Sequence, residues 1–544
     1  MGIPIVVGVT GHCNLKEKDI PQLRELVRAE LQKLKKTYPH SPFVMLSSMA
    51  AGADCLCAEM AVELGIMLKC PLPMQEDEYR QNYSGKDLIL FDTLLSKATD
   101  VFVVPVFEPV PEQPSREFYY RQASIYIASH SHVLLALWNG LPAKPNGYGT
   151  AEAVDFMLKG HNYESFHARN DGAVIHILTE KQDSETETNF KVSLLENEPG
   201  GLHEVLTITD NYNKDADALF NPSESTYSLL PKEYLKGKAK LNSFDALHCE
   251  ADGLSLYFQK RYLKALKSFS TFGVLLVLFF LLYDELENKH FLLAYGLIIL
   301  LYFPAFIFSQ KKDIHMKYIQ YRMLAETMRV QFYVLAAGLN DNISNAFTWT
   351  QKLDCIWIKR AVSALLIGSP DTVDIPEELI MENLIDGQFE YHTKAFNRNI
   401  RKHSKSENIA RSMLLSSFVL FVFVFIMEFF FESCLDQQVA NGPLTAFFIQ
   451  FSGQEFIWRS LLKVLLGVVS AIAALGSNYY GKLSLERKSI DHKKMALLYE
   501  TAKKQFEGGC IDKKHLFREL AQEEVIENGN WYSYCRENLL PFSL

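Results

Sequence analysis

The chain has 544 residues, with 55 Lys and Arg against 64 Asp and Glu, a formal net charge of −9. That balance lacks the basic footprint of a nucleic-acid binder, so no nucleic-acid partner is expected. A mean hydropathy of −0.02 averages an ordinary polar portion before residue 230 with strongly apolar runs beyond it, and the length allows roughly three or four domains. Nine cysteines include no C-x-x-C pair, Cys55 and Cys57 being nearest, and the start MGIPIVVGVTG reads as a core strand rather than a secretory leader. Reduced, cytoplasmic thiols are expected.

The opening IPIVVGVTGHCNL is an apolar run bounded by glycine, and the periodic polar segment Glu17 to Lys36 reads as an amphipathic helix. PFVMLSSMAAGADCLCAEMAVELG, ATDVFVVPVF, HVLLALWNG with GYGTAEAVDFMLKG behind it, and AVIHIL continue the alternation. Continuous apolar strands alternating with helices predict an α/β domain whose mainly parallel sheet is covered on both faces. Ligands of such sheets bind beyond the carboxyl ends of the strands.

Three strand exits carry candidate ligand-binding residues. Gly8, Thr10, Gly11 and His12 leave the first strand; Ser47, Ser48, Gly52, Ala53 and Asp54 leave the second; Gly147, Gly149, Thr150 and Glu152 open a helix after the fourth. Glycines at these places let backbone amides close on a phosphate, and the positive end of the following helix favours the anion. None is a Walker loop or a GxGxxG fingerprint, and a single glycine reads equally as a plain turn. Three at one edge of one sheet point to a nucleotide site. Arg121, on a helix leading into the strand from Val133, either pairs with a phosphate or faces solvent. Tyr119, Tyr120 and Tyr126 at helical spacing read as packing. His12 is a general base or a loop hydrogen-bond donor. His161, His167 and His176 lack metal-ligand spacing, so no metal site is expected.

The segments GVTGH, SSMAAGAD with CLCAE, and HVLLALWNG leading to GYGTAEAV resemble the SLOG superfamily, over residues 1–180. That Rossmann-like group contains the LOG cytokinin-activating phosphoribohydrolases, DNA-processing proteins and nucleotide-signal sensors. Pro145, Gly147, Gly149, Thr150 and Glu152 are similar to the LOG signature PGGxGTxxE, which binds ribose phosphate and supplies a catalytic glutamate. Asn146 stands where the signature has glycine, and Glu152 comes one residue early, which turns its carboxylate by about 100° on a helix. The resemblance implies nucleotide binding more than turnover.

From Thr179 to about Pro231 the chain is acidic and punctuated, and a cytoplasmic excursion over 181–235 with little core of its own is expected. LNSFDALHCEADGLSLYFQKRYLKAL then reads as a helix coupling the soluble domain to a membrane. Residues 268–283 and 291–310, sixteen and twenty positions between charges, form one hairpin of spans. Ser412 to Phe431 and Val464 to Gly481, twenty and eighteen positions, form another, with a cytoplasmic helical segment between the hairpins at 341–410. A span needs roughly 17 to 25 residues, so the first run is short. Lys264, Lys267, Lys311, Lys312, Arg398, Arg401, Lys402, Lys405, Arg411, Lys482, Arg487 and Lys488 flank one side, while Asp284, Glu285, Glu287, Glu432 and Asp436 occupy the tips. Four spans with both termini cytoplasmic follow. Glu428 inside the third run and Lys463 beside the fourth are pore candidates, or an interfacial pair.

Glu326, Thr327, Gln331 and Phe332 match Glu500, Thr501, Gln505 and Phe506 at a constant offset of 174, with Arg329 matched by Lys503. The reading is a duplicated unit of hairpin plus helix. Tyr318, Tyr321, Arg322, Leu324, Ala325, Glu326, Arg329, Val330 and Gln331 after paired spans resemble the SLATT family of membrane effectors. The two resemblances together imply an oligomeric effector of bacterial antiphage defence in the inner membrane. Its amino-terminal domain would bind a cyclic nucleotide or ADP-ribose-derived messenger made by a partner synthase. The rival reading is a membrane-tethered nucleotide or nucleoside phosphate hydrolase using Glu152 and Asp54 for acid/base work, and a third is a transporter or ligand-gated channel.

Overall fold

The computed structural model describes residues 2–143, 149–161, 171–221, 227–311, 313–436, 455–509 and 512–537, apart from the side chains of 305, 306, 308–311, 427–436 and 455–459. It divides into two units, one made of Met1–Ser255, Ile319–Glu377 and Asp512–Leu544, the other of Leu256–Tyr318 and Glu378–Ile511.

In the first unit, β1 (Ile5–Gly11), β2 (Phe43–Leu46), β3 (Met67–Leu72), β4 (Asp100–Val103), β5 (Val133–Trp138), β6 (Ala173–Leu178) and β7 (Val192–Glu196) form one sheet in the order β4-β3-β2-β1-β5-β6-β7. Every pairing is parallel except that of β6 with β7. Six helices are interspersed: α1 (Ile20–Thr37), α2 (Ala53–Glu63), α3 (Glu76–Arg80), α4 (Gly85–Lys97), α5 (Arg116–His130) and α6 (Thr150–Lys159). Val7 and Val9 of β1 join the core formed with Leu23 and Val27 of α1 and Leu56 and Met60 of α2. Val6 points the other way, into the core of Ile125 and Ala128 from α5 and Val154 and Met157 from α6. Burial on both faces is why β1 is apolar throughout instead of alternating. The strand order reverses between β1 and β5, which creates a topological switch point at their carboxyl ends.

The acidic stretch after β6 differs from its expectation. β7 extends the sheet, and α7 (Gly201–Leu219) buries Leu206, Tyr212 and Ala216. The Asn213 side chain accepts from the Ile3 amide at 2.8 Å and donates to the Ile3 carbonyl at 2.9 Å. Polar residues obscured this in the sequence because only one stripe of α7 is apolar, and its buried polar groups find partners within the fold.

The chain continues through α8 (Lys232–Leu235), α9 (Ala239–Leu286), α10 (Lys289–Lys311), α11 (Ile314–Ala336), α12 (Trp349–Asp354), α13 (Ile356–Leu365), α14 (Glu377–Ile380), α15 (Gly387–Asp436), α16 (Glu455–Leu483), α17 (Leu485–Gly508) and α18 (Lys513–Glu537). Within the first unit, a ladder of charge joins three of these. Arg322 of α11 pairs with Asp252 of α9 and with Glu326. Arg329 pairs with Glu326 at 2.9 Å and with Glu524 of α18 at 3.0 Å. Arg329 is 6% exposed and Glu524 1%. Burial opposes ionisation of Glu326, but Arg322 and Arg329 outweigh it and hold the carboxyl at about 2.

In the second unit, three stretches are long and apolar enough to cross a membrane. They lie within Ala239–Leu286, Glu377–Ile426 and Ser460–Gly508, with mean hydropathies of 2.1, 2.3 and 1.9. Their apolar residues face outward, Phe418 being 63% exposed, as lipid-facing surfaces are. Four spans were expected, and three are found among the described residues; in α10, 23 residues long, the described apolar stretch is Lys289–Pro304. The run that looked short in the sequence belongs to a continuous helix of 48 residues, α9. The side chain of Glu428 lies outside the described residues, and Lys463 is half-buried on α16.

Both windows of the internal match are helical and both follow an apolar helix. Their surroundings differ, because Thr327, Gln331 and Phe332 are buried while Thr501 and Gln505 are exposed.

Removing one partner of a buried ion pair leaves the other desolvated, which costs about 3–5 kcal/mol. Glu524→Ala should therefore strongly lower the unfolding midpoint of the solubilised full-length protein. Arg28→Ala, which removes an exposed pair with Glu63, should leave the midpoint nearly unchanged.

Candidate functional site

The switch point brings three chain segments together. β1 runs through Gly11, so Gly8 sits inside the strand rather than at its exit. A Cβ on Gly8 would come within 2.7 Å of Ile127, which makes it the position where α5 closes on the sheet. Thr10 is half-buried one residue before the strand ends. A Cβ on Gly11 would lie 2.8 Å from the Leu137 carbonyl oxygen and would collide with Ala53.

His12 ties the exits together. Its amide donates to Leu137 O at 3.0 Å, its carbonyl accepts from the Ala53 amide at 3.1 Å, and its Nε2 accepts from the Asn139 amide at 3.2 Å. Burial, with Lys181 nearby, lowers its pKa to about 4, so the ring is neutral at physiological pH and serves as an acceptor. The sequence left His12 as a base or a loop donor; its ring is seen as a loop acceptor.

The loop between β2 and α2 is tightly specified. Gly52 has φ +76°, and a Cβ there would meet the His12 carbonyl oxygen at 2.6 Å. Met49, fully buried, holds φ +65°, a conformation costly for a non-glycine residue. Its carbonyl accepts from Tyr83 Oη at 2.7 Å, and its amide donates to Ser47 Oγ at 3.1 Å. Ser48 Oγ donates to Asp54 Oδ2 at 2.8 Å. Asp54 is 4% exposed, and burial raises its carboxyl to about 7 against the opposing effects of Ser48 and the Ala50 backbone.

On the opposite face, α5 and α6 meet at a cluster of charge. Arg121 donates from Nε to both oxygens of Glu108, at 3.0 and 3.2 Å, and from Nη1 to Glu152. Its guanidinium lies 5.1 Å from the centre of the Phe156 ring. Gln122 completes the arrangement by donating to Glu108 at 2.8 Å and accepting from the Phe107 amide at 2.8 Å. Burial raises the Glu152 carboxyl, and Arg121 partly offsets it. Arg121 therefore neither faces solvent nor awaits an anion: it is held between two carboxylates. Glu152, one residue early relative to the LOG pattern, still reaches this arginine.

Gly149, with φ +149°, precedes α6 with nothing within 4 Å of a Cβ built on it, and Thr150 is half-buried at the start of the helix. Pro145, Asn146, Gly147 and His167 lie outside the described residues. Tyr126 packs in the core and accepts from the Gly368 amide at 3.2 Å, and Tyr120 accepts from Asn82 at 3.0 Å. His176 rests on Trp138 and bonds its carbonyl at 2.9 Å, while the His161 ring tilts against Phe107. Among the described residues no group of three or more His, Cys, Asp or Glu side chains is arranged to hold a metal. Sequence reasoning missed Glu108, Asn139 and Met49. Glu108 sits in the aperiodic proline-rich EPVPEQP, and nothing in a sequence marks a buried methionine for positive φ.

No model of a known protein family matches the chain, and no curated protein is similar to it.

The unfolded carboxyl of an aspartate titrates near 3.8 and that of Asp54 near 7. The folded state therefore holds this proton more tightly, and the associated stability is complete below pH 4 and lost as pH rises through 7. The unfolding free energy of the wild type should fall across that window relative to Asp54→Asn, whose profile lacks this component. Parallel profiles from denaturant titrations between pH 4 and pH 8 would refute the protonated assignment.

Proposed function

We propose that the chain is a membrane-embedded sensor and effector of bacterial antiphage defence. A nucleotide-derived messenger, a cyclic nucleotide or an ADP-ribose derivative made by a partner synthase, binds at the carboxyl edge of the sheet. An oligomer of four-span helical units then permeabilises the inner membrane. The observation that carries the reading is the switch point itself. There a glycine-bounded strand exit, the amino end of α2 after Gly52 and the amino end of α6 after Gly149 meet one sheet edge, the arrangement that accommodates phosphates. Support for coupling comes from α9, one unbroken helix whose first residues, Ala239–Ser255, lie in the sheet-bearing unit and whose apolar carboxyl-terminal part is long enough to span. Activation requires only that ligand bind the open assembly more tightly than the closed one.

Ligand at 100 times its dissociation constant should stabilise the full-length protein by about 2.7 kcal/mol, visible as a melting shift across a panel of cyclic and linear nucleotides. The same ligand should depolarise cells expressing the wild type. Gly149→Trp or Thr150→Trp should abolish both responses. Depolarisation that persists in these variants removes the site assignment.

The hydrolase reading gains one specific observation: Glu152 is paired with Arg121, and burial raises its carboxyl above the usual value against the pull of that arginine. Under that reading the bound nucleotide is consumed, and Glu152→Gln lowers turnover at least a hundredfold with binding retained. Stabilisation by a ligand recovered intact leaves the sensor.

A further inference from the structure

Two of the long helices that enter the apolar layer carry a matched set of cations just before they do so. On α9 these are Lys260, Arg261, Lys264 and Lys267; on α15 they are Arg398, Arg401, Lys402 and Lys405. All eight are exposed, and none has an ion pair among the described residues. Arg261 alone has an aromatic partner, Tyr257, at 5.1 Å. No Asp or Glu occurs between Gly253 and Tyr283 or between Tyr391 and Ser406, and the next acidic residue, Glu407, pairs with Arg411.

The helices place these charges at one end of the second unit. α9 and α16 run antiparallel, since Gly273 packs on Leu475 and Gly467 on Leu281. α15 is antiparallel to α16 and α17, and so parallel to α9: Ser417 meets Ser470 at 2.6 Å, and His392 of α15 meets His492 of α17 at 3.0 Å. These registers carry Lys267 and Lys405 to the level of Gly481 within about two residues, or roughly 3 Å of rise. Two tiers result, an inner one of Lys264, Lys267, Lys402 and Lys405, and an outer one of Lys260, Arg261, Arg398 and Arg401. On α9 the inner tier borders the apolar run that starts at Ser268, and by register Lys402 and Lys405 of α15 stand level with it, ten and seven residues before Ser412; the polar part of a bilayer occupies roughly 5–8 Å beyond the hydrocarbon. The outer tier stands one to two turns farther out, where a screening length of about 8 Å weakens its pull.

We propose that the inner tier is a binding collar for anionic phospholipid headgroups, recognising their phosphodiesters. A preference for orienting basic residues toward one side accounts for their sign. It leaves unexplained why eight cations at matched heights on two helices make, among the described residues, none of the ion pairs that temper charge elsewhere, as in Arg24 with Glu59 and Glu63. Phosphate groups of the leaflet supply the missing counter-charge, and each nearby lysine is worth on the order of fivefold in affinity for an anionic surface. This inference rests on the membrane assignment and is independent of any ligand at the sheet.

The test uses full-length protein in bilayer discs of equimolar phosphatidylglycerol and phosphatidylcholine, reading the ratio of the two lipids that remain bound after extraction. The wild type should favour phosphatidylglycerol several-fold, and raising salt from 0.1 M to 1 M should erase the preference. The variant K264Q/K267Q/K402Q/K405Q should bring the ratio close to one, while K260Q/R261Q/R398Q/R401Q should keep most of it. A wild-type ratio of one overturns the proposal, as does a preference that survives 1 M salt or equal losses in the two variants. Because the wild-type ratio and its salt dependence decide the matter by themselves, a variant that fails to fold does not protect the idea.

Discussion

The buried ladder from Asp252 through Arg322, Glu326 and Arg329 to Glu524 is the constraint on which the sheet-bearing unit depends. Its five charges come from three segments separated by long stretches of chain, and each guanidinium is shared by two carboxylates. In a site as dry as that around Glu524, no member can leave without stranding a neighbour. The ladder fixes which face of α11 meets α9 and which meets α18. It also explains why α11 is buried on nearly every side and yet carries charged residues that a buried helix ordinarily lacks. The matching window at the offset of 174 shares the letters without the environment. There Lys503 pairs with Asp386 at 2.7 Å, a half-exposed contact of a different kind.

At the switch point, the two faces of the sheet have different chemistry. On the α2 side the polar atoms of His12, Ser47, Ser48 and Asp54 are already engaged with one another or with backbone, so the loop is a rigid, preformed rim. On the α5 and α6 side, the positive charge of Arg121 is shared by Glu108 and Glu152. A phosphate arriving at Arg121 must exchange with one of those carboxylates, so its affinity is a difference between two ion pairs rather than the whole value of one.

Much of the sheet was legible because strands covered on both faces must be apolar without interruption, and Ile5 to Val9, Phe43 to Leu46 and Val133 to Trp138 have that signature. The strand exits were legible too, though the motif GVTGH placed one glycine too many outside the strand: Gly8 serves helix packing. The stretch around α7 was misread because its stabilisation comes from paired polar groups such as Asn213 with Ile3, and composition is blind to pairing. Arg121 illustrates the same limit, since its partner Glu108 is thirteen residues away in a segment with no periodicity. The apolar runs were plain, but the continuity of α9 was not, as a change from polar to apolar looks like a boundary even where the backbone hydrogen bonds carry on.

The sheet-bearing unit is discontinuous, and this bears on how the protein is made. A ribosome delivers residues 1–255 first, then one apolar hairpin, then 319–377, then the other apolar helices, and only afterwards α18. Arg329 therefore emerges some two hundred residues before Glu524, and the core that needs both stays open while the apolar segments are being inserted. Completion of the sheet-bearing unit therefore waits on the last helix of the chain, after all of the apolar segments have been made.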